Sequence, residues 1–354
     1  MIPPNATGKP PRILFLADCG AEVGGGHLMR CLSLAQALMA RGAACGIMAP
    51  PDAGSVLDAF AAPGIERLPV PAGPLHRLVE ATADAAQRWG ADVVVVDSYG
   101  LGAVQESTLA RRAPRVAVID DLADRPHDCD LLIDATLGRR PDAYGRLTPA
   151  RAQILTGPAY ALLRPAYAAG GAVLKQRRPE PPPRRVLISM GLTDLRGITG
   201  RVLHLVRPAL GEMEADIALG SGASSLPWLR HLAGQDRRLR LHVDTPAMAE
   251  LMAEADIGVG AGGSSVWERA ALGLPSLCLI LADNQEDMAW ELDRRGVALA
   301  VETRGADFAD AFSAALARLL EDAALRAQIS RTSAELCDGM GAARAAQAIL
   351  GLVG

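Results

Sequence analysis

The sequence has few aromatic residues and no excess of positive charge. Phe, Trp and Tyr make up only 3% of the 354 residues, and 36 Lys and Arg against 40 Asp and Glu give a formal net charge of −4. A nucleic-acid-binding protein needs basic residues to neutralise phosphates, and many such proteins stack bases on aromatic rings. We therefore expect no nucleic-acid partner.

Long apolar runs and paired cysteines are also missing. The longest stretches without a charged residue, 217–229 and 270–282, have 13 residues each, whereas a membrane-spanning helix needs roughly 20. Residues 1–5 lack the basic start and apolar core of a signal peptide. These absences predict a cytoplasmic protein without a membrane span, and they leave its oligomeric state open. No cysteines form a CxxC pair or a zinc-like spacing, and the six are Cys19, Cys31, Cys45, Cys129, Cys278 and Cys337.

Hydrophobic residues, by contrast, make up half of the chain, and their distribution is typical of an α/β protein. At roughly 150 residues per domain, the length predicts two domains. From residue 12 on, short apolar runs alternate with amphipathic stretches, as in parallel sheets covered by helices on both faces. We therefore predict two doubly wound α/β domains, with two or three helices over 307–350. The predicted strands are 12–18, 44–48, 92–97, 115–119 and 130–134, then 185–190, 215–219, 239–243, 256–260 and 276–280.

A segment rich in Gly and Pro interrupts this alternation. Residues 168–184 contain two glycines, four prolines and a basic run, and consecutive prolines do not fit inside a helix or a central strand. We predict an N-terminal domain over 1–170, a linker over 171–184 and a C-terminal domain over 185–354, whose last helices are candidates for packing against the first domain. Ligands in such folds bind beyond the carboxyl ends of the strands, which predicts a site in a cleft between the domains.

The first candidate site is a glycine-rich turn after the first strand. Asp18 ends that strand, and Gly24, Gly25 and Gly26 precede a helix that is predicted to begin near His27. Glycines allow positive φ and close approach to a ligand, and the helix directs unpaired N–H groups at it, which suits a phosphate. The spacing matches neither a P-loop nor a dinucleotide-binding motif.

His27 and Arg30 are candidate functional side chains beside this turn. The helix dipole disfavours the imidazolium form of His27, which would leave a neutral ring that can act as a general base. The alternative is a histidine that only caps the helix. Arg30 lies on the same helical face, where it could contact a diphosphate or remain a solvated surface residue.

The second candidate site is the turn Gly262-Gly263-Ser264-Ser265, which follows the strand 256–260. Its amides and hydroxyls could bind a phosphate, and Glu268, one helical turn further on, could accept the hydroxyls of a ribose. The alternative is a capping box, in which Ser265 and Glu268 only close the first turn of the helix.

A third group of polar residues follows other strands. Tyr99 lies just after 92–97, and an acidic segment with His127 follows 115–119. This segment has no HExxH or EF-hand spacing, so we predict no metal site. Asn284 and Gln285, after 276–280, could begin a helix or reach a ligand.

Several of these segments resemble the nucleotide-sugar hydrolases of pseudaminic acid biosynthesis, which remove UDP from UDP-2,4-diacetamido-2,4,6-trideoxy-β-L-altropyranose. The resemblance covers residues 12–350, and its motifs occur in the same order. They are EVGGGHLMRCLSLA at 22–35, DSYGL at 97–101, IDDLADRPHDCDLLID at 119–134, YALLRP at 160–165, GGSSVWERAALGLP at 262–275 and ADNQ at 282–285.

The resemblance implies a fold and a role for each motif. The family is similar to GT-B glycosyltransferases, especially the peptidoglycan N-acetylglucosaminyltransferase, which implies two Rossmann-like domains with a UDP-sugar in the cleft. His27 corresponds to the family's catalytic histidine and Gly24–Gly26 to its phosphate-facing loop. Ser264, Ser265 and Glu268 fall on the UDP-binding turn and helix. No metal or redox cofactor is implied.

The implied reaction is hydrolysis at the anomeric carbon. His27 would take a proton from a water that attacks opposite UDP and inverts the anomeric centre, while the glycine and serine turns hold the diphosphate. Asp18, Tyr99 and Asn284 are further candidates for orienting the sugar or the water. The reaction would belong to pseudaminic acid biosynthesis, and so to flagellin glycosylation or surface polysaccharide formation.

Two positions depart from the family pattern and keep other functions open. Leu16 stands where an arginine is usual, and Leu192 replaces a glycine in the turn 191–194, which would remove a position that tolerates positive φ. The alternatives are a GT-B glycosyltransferase that uses a UDP-amino-sugar donor and a non-catalytic nucleotide-sugar-binding protein.

Overall fold

The computed structural model describes residues 9–18, 25–50, 53–70, 75–176 and 182–353. The chain divides into two compact units. Unit 1 contains residues 1–165 and 340–354, and unit 2 contains residues 166–339. Both are parallel α/β structures, which confirms the predicted fold class.

The described part of unit 1 contains a seven-stranded parallel sheet in the order β3-β2-β1-β4-β5-β6-β7. β1 pairs with β2 on one side and with β4 on the other, so that Ile13 lies between Cys45 and Val93. The strands are β1 (Arg12–Ala17), β2 (Ala44–Met48), β3 (Glu66–Leu68), β4 (Val93–Asp97), β5 (Arg115–Ile119), β6 (Leu131–Asp134) and β7 (Gln153–Thr156).

Helices cover both faces of this sheet, and successive residues of β1 enter different cores. Ile13 and Phe15 belong to the core that also contains buried residues of α1 and α13, and Leu14 and Leu16 belong to the core with those of α3 and α4. This follows from the two-residue period of a strand. The helices are α1 (Gly26–Met39), α2 (Gly54–Phe60), α3 (Leu75–Trp89), α4 (Ala103–Ala110) and α13 (Gly341–Gly351).

The burial of Leu16 corrects one expectation. Its side chain is only 3% exposed and shares a core with Met48 and Val96. The departure from the family's arginine therefore changes the interior of unit 1 and does not place an altered side chain on a ligand-facing surface.

The described part of unit 2 contains a six-stranded parallel sheet in the order β10-β9-β8-β11-β12-β13. Its strands are β8 (Arg185–Ser189), β9 (Glu214–Leu219), β10 (Leu239–Val243), β11 (Ile257–Ala261), β12 (Ser276–Ile280) and β13 (Leu299–Glu302). Its helices are α5 (Gly170–Gln176), α6 (Ile198–Val206), α7 (Leu226–Ala233), α8 (Met248–Glu254), α9 (Ser265–Ala271), α10 (Glu286–Arg294), α11 (Phe308–Glu321) and α12 (Ala323–Leu336).

All ten predicted strands are present within two residues of their predicted ends, and three further strands were not predicted. The three are short: β3 has three residues, two of them exposed, and β7 and β13 have four each. Such short segments show no apolar run that distinguishes them from a loop.

The region of the predicted linker is partly helical. Residues 171–176 belong to α5, which packs against α12 of unit 2, while residues 177–181 lie outside the described ranges. At its other end the chain returns to unit 1, where α13 packs against α1. Within the described ranges, no helix combines the length and the apolar character that a bilayer span needs.

Candidate active site

The predicted site residues of unit 1 lie where the strand order of its sheet reverses. The chain runs outward from β1 to β2 and β3 on one side and from β4 to β7 on the other. Loops that follow the two central strands therefore diverge at their carboxyl ends, the place where doubly wound folds bind ligands. α1, with His27, follows β1 on this side, and Asp97 is the last residue of β4.

His27 is paired with Asp97. Nδ1 of His27 lies 2.5 Å from Oδ1 of Asp97, and both side chains are buried, with 5% and 0% exposed. Because a carboxylate accepts hydrogen bonds, we assign the ring proton to Nδ1, which leaves Nε2 unprotonated. Among the described residues, no protein group bonds to Nε2. A histidine held in this tautomer by a buried aspartate is suited to accept a proton at Nε2.

Arg30 binds the same carboxylate. Its Nε and Nη2 donate to the two oxygens of Asp97 at 2.6 Å each, and its Nη1 donates to Asp121 at 2.7 Å. Burial opposes the positive charge, but the two carboxylates hold the pKa of Arg30 well above its ordinary value. The alternative of a solvated surface arginine is therefore wrong, and a diphosphate contact, which remains a prediction, would compete with these ion pairs.

Asp97 is ionised at neutral pH. Burial raises the pKa of Asp97, but the charge of Arg30 and the hydrogen bonds from Arg30 and His27 outweigh this effect and lower that pKa to about 2. The carboxylate therefore accepts the hydrogen bond of the His27 ring as a charged group and fixes the orientation of that ring.

Tyr99 completes the group around His27. Its ring meets the imidazole edge to face, with 4.5 Å between the ring centroids and an interplanar angle of 87°. Burial raises the pKa of Tyr99, and Asp121, to which its hydroxyl is hydrogen-bonded, raises it further, so the phenol stays protonated at neutral pH. The edge contact restricts rotation of the imidazole. Asp18 joins the group through its backbone, since its N–H donates to the carbonyl of Asp97.

The glycine turn differs in one respect from the prediction. Gly25 has a φ of −97° and Gly26 is the first residue of α1, so neither uses the left-handed region. Gly24 lies outside the described residues.

The second candidate site follows β11, where the strand order of the sheet in unit 2 reverses between β8 and β11. Gly262 donates its N–H to Leu279. Within the described ranges, the N–H groups of Gly263, Ser264 and Ser265 donate to no protein group. Unpaired N–H groups at the first turn of a helix are potential donors to an anion.

The capping-box alternative for this turn is wrong. α9 begins at Ser265 with Ser264 in the N-cap position, and the Ser264 side chain makes no capping hydrogen bond. Ser265 is thus not the cap, and its Oγ accepts a hydrogen bond from Arg269 instead. Glu268 lies half-buried on α9, one turn further on.

Gln285 lies beside this turn. A Cβ on Gly262 would come within 3.4 Å of Gln285, whose Oε1 accepts from the N–H of Leu281. Asn284 is exposed, in a single 3-10 turn before α10. Gln285 therefore borders the turn, and its contact with an anion there stays a prediction.

The acidic segment after β5 is held by its own partners. Nδ1 of the buried His127 lies 2.8 Å from Glu106, and the hydroxyl of Tyr144 lies 2.8 Å from both Asp120 and Asp134. In the described ranges, no group of three or more His, Cys, Asp or Glu side chains is arranged to hold a metal ion.

Leu192 introduces no strain into its turn. In this turn Gly191 and Asp194 have positive φ, with 96° and 47°, and Leu192 is not among the described non-glycine residues with positive φ. The Leu192 carbonyl accepts from the N–H of Gly220. The expectation that leucine removes a required flexible position is therefore wrong.

Two residues of the site were not predicted to belong to it. Asp97 ends the predicted strand 92–97 and Asp121 lies in the acidic segment after 115–119, but nothing in the sequence connects them to His27 and Arg30, which lie at least 67 positions away. The sequence does show that Asp97 ends β4 and that Asp121 follows β5. This position indicates proximity to His27 only when β4 is known to lie beside β1.

Comparison with curated proteins confirms the resemblance. The chain is 24% identical, over 286 residues that make up 80% of its length and 97% of the relative, to the UDP-2,4-diacetamido-2,4,6-trideoxy-beta-L-altropyranose hydrolase of Campylobacter jejuni. It is also 24% identical, over 54% of its length and 56% of the relative, to the spore coat polysaccharide biosynthesis protein SpsG of Bacillus subtilis. No protein-family model matches the chain.

Solved structures of the same fold are glycosyltransferases. MurG of Acinetobacter baumannii has a TM-score of 0.63 at 16% identity and covers 96% of this chain and 100% of its own. The spinosyn rhamnosyltransferase SpnG, complexed with thymidine diphosphate, has a TM-score of 0.63 at 19% identity and covers 97% of this chain and 100% of its own. The chain thus has a GT-B-like fold of two parallel α/β units, and in sequence it is similar to a UDP-sugar hydrolase.

Proposed function

We propose that this protein hydrolyses a UDP-linked 2,4-diacetamido-2,4,6-trideoxy sugar at the anomeric carbon and releases UDP and the free sugar. The observation that carries the proposal is the buried His27–Asp97 pair, which leaves Nε2 of His27 as a proton acceptor. The similarity to the Campylobacter hydrolase supports the choice of substrate.

In the proposed reaction, Nε2 of His27 takes a proton from water as the water oxygen bonds to the anomeric carbon. The bond between that carbon and the UDP oxygen breaks, and UDP departs with the electron pair. Attack opposite UDP inverts the anomeric centre. Asp97 stabilises the imidazolium that forms, and the edge contact with Tyr99 holds the ring in place.

UDP is a good leaving group, so its departure needs charge stabilisation more than proton donation. We assign this role in unit 2 to the amides of Gly263, Ser264 and Ser265, with Gln285 beside them, and we assign the ribose hydroxyls to Glu268. The reaction requires no metal ion in this scheme. It would supply a free diacetamido sugar to pseudaminic acid biosynthesis in the cytoplasm.

The test is UDP release from the purified diacetamido nucleotide sugar. We expect His27→Ala to lower kcat by about 100-fold or more, since a positioned base contributes on the order of 10²–10⁴. His76→Ala, which removes an exposed histidine on α3, is the matched control and should leave kcat unchanged. A loss of only a fewfold in His27→Ala would remove His27 from the base role, and loss of activity in EDTA would contradict the metal-free scheme.

The second candidate function is transfer of the same sugar to a hydroxyl acceptor. It is favoured by the fold, because solved structures that match it, MurG and SpnG among them, are glycosyltransferases. Product analysis separates the two reactions: free sugar without an acceptor indicates hydrolysis, and acceptor-dependent UDP release indicates transfer. UDP binding without either product would indicate the non-catalytic alternative.

A further inference from the structure

Unit 2 contains a buried arginine below the turn that follows β11. Arg269, on α9, is 2% exposed. Its Nη2 donates to the carbonyl of Ala261 at 2.9 Å and its Nη1 donates to Oγ of Ser265 at 3.1 Å. The guanidinium therefore connects the end of β11 to the first residue of α9.

The strand is shaped to admit this side chain. Gly258 and Gly260 lie on the same face of β11, because side chains alternate along a strand. A Cβ on Gly258 would lie 3.1 Å from Cδ of Arg269, and a Cβ on Gly260 would collide with Nη1. A side chain at Gly260 would therefore displace the guanidinium, and one at Gly258 would press on the stem of Arg269 and on Leu274.

Burial lowers the pKa of Arg269, and the charge of Glu268, the preceding residue on α9, offsets this only in part. Arg30, the buried arginine of unit 1, is paired with Asp97 and Asp121, whereas Arg269 forms no ion pair with any carboxylate in the described ranges, and its Nε has no hydrogen-bond partner. The neighbouring thiol of Cys278 does not supply a negative charge, because burial raises its pKa.

An unpaired buried cation is unfavourable unless something compensates it. We propose that Arg269 is a positioning residue for the diphosphate of UDP, bound at the turn Gly262–Ser265. The proposal rests on the UDP chemistry of the proposed function, since the turn alone does not say which anion it binds. The diphosphate supplies the missing negative charge.

Ser265 lies between Arg269 and the proposed position of the diphosphate. Its Oγ accepts from Nη1 of Arg269, so its own hydroxyl hydrogen is available to donate to an anion. The N–H groups of Gly263, Ser264 and Ser265 provide further donors at the same turn. Arg269 thus acts through Ser265 and through its charge, without touching the ligand.

The experiment compares three probes, UDP, uridine and inorganic pyrophosphate, by calorimetry on the full chain. In Arg269→Met we expect UDP and pyrophosphate to bind at least about tenfold more weakly, because only charged ligands interact with the removed charge. Uridine, which carries no phosphate, should change by less than about twofold.

Arg326→Met is the matched control. Arg326 is also a buried arginine of unit 2, 3% exposed, but it donates to the carbonyls of Leu319 and Leu320 at the end of α11. This variant should leave the selectivity between UDP and uridine unchanged. Equal weakening of UDP and uridine in Arg269→Met, or the same loss of UDP affinity in both variants, would show a purely structural role and overturn the proposal.

Two further variants keep the proposal testable if Arg269→Met does not fold. Arg269→Lys keeps the charge and should bind UDP within about fivefold of wild type, while Ser265→Ala should weaken UDP more than uridine. In a double-mutant cycle, Ser265→Ala should have less effect when combined with Arg269→Lys than alone, because the two side chains act together. If the losses of UDP affinity in the two single variants simply added in the double variant, Arg269 would not act through Ser265.

The result also separates this inference from the proposed function. Arg269-dependent binding of UDP without hydrolysis would sustain the inference and refute the hydrolase activity. Hydrolysis by a protein whose UDP affinity does not depend on Arg269 would support the hydrolase activity and refute the inference. A wild-type protein that binds neither UDP nor pyrophosphate would refute both.

Discussion

At the scale of single residues, Asp97 organises the candidate site of unit 1. One carboxylate accepts hydrogen bonds from His27 and Arg30, and the thiol of Cys31 lies 3.6 Å from it. Replacing this buried carboxylate removes several interactions at once. Each remaining partner is then left without its hydrogen-bond acceptor. We therefore expect Asp97 to matter both for stability and for the state of His27.

The pKa of Asp97 makes stability depend on pH. That pKa is about 2 in the folded protein against an ordinary 3.8, so the unfolded chain binds more protons between these values. The stabilisation is present above about pH 5 and is lost as the pH falls towards 2, with a total on the order of 2 kcal/mol.

Urea unfolding at several pH values from 7 to 2.5 would measure this dependence. The free energy of unfolding of Asp97→Asn should be lower than that of wild type at pH 7 and should fall less steeply below pH 5. Parallel pH curves for the two proteins would show that Asp97 is not the group that titrates. The same variant should lower kcat in the hydrolase assay, since an amide cannot stabilise imidazolium as a carboxylate does.

At the scale of elements, the connection from α12 to α13 depends on a glycine. Gly339 has a φ of +73°, and a Cβ there would lie 2.5 Å from the carbonyl oxygen of Tyr167. An alanine would meet both an unfavourable backbone conformation and a backbone atom that cannot move aside cheaply. This connection carries the chain to α13, so its geometry determines where the last helix begins.

We expect Gly339→Ala to destabilise the protein by more than about 2 kcal/mol, because the steric conflict adds to the backbone strain of about 1 kcal/mol. Gly211→Ala is the matched control, since Gly211 also has positive φ, with 52°, but nothing lies within 4 Å of its Cβ position. Chemical denaturation of the two variants measures the difference. Equal destabilisation would mean that the contact with Tyr167 relaxes without cost.

At the scale of the whole molecule, unit 1 is discontinuous in sequence. Its sheet lies within the first 165 residues, but α13 belongs to it and contributes Ala345, Ala346 and Ile349 to the core that also contains α1. The last residues of the chain are thus needed to complete the first core. This predicts that unit 1 cannot reach full stability until residues 340–354 are in place.

Paired core variants test this division. Ile349→Ala should destabilise by about 2–5 kcal/mol and lower the hydrogen-exchange protection of β1 and β4. Ile329→Ala, at an equally buried site on α12, should instead lower the protection of β11 and β12. If both variants reduced protection in the same strands, α13 would not belong to unit 1 as a stability unit.

The sequence by itself determined the α/β class, ten of the described strands and the glycine-containing turns after two of them, because apolar runs and glycine preferences are local properties of the chain. The family motifs, read in order, also indicated the GT-B-like fold. The binding of UDP by the two turns and the hydrolysis of its sugar remain predictions.

The tertiary structure alone decided which residues meet. Strand order placed β4 beside β1 and so brought Asp97 to His27, and two glycines in β11 opened the space that Arg269 fills. The sequence offered the last helices as candidates for packing against the first domain, and the structure decided that α13 does so, against α1. Strand order and burial follow from packing between segments that are distant in sequence. The free energy of this packing is distributed over many residues, so no short sequence pattern reveals it.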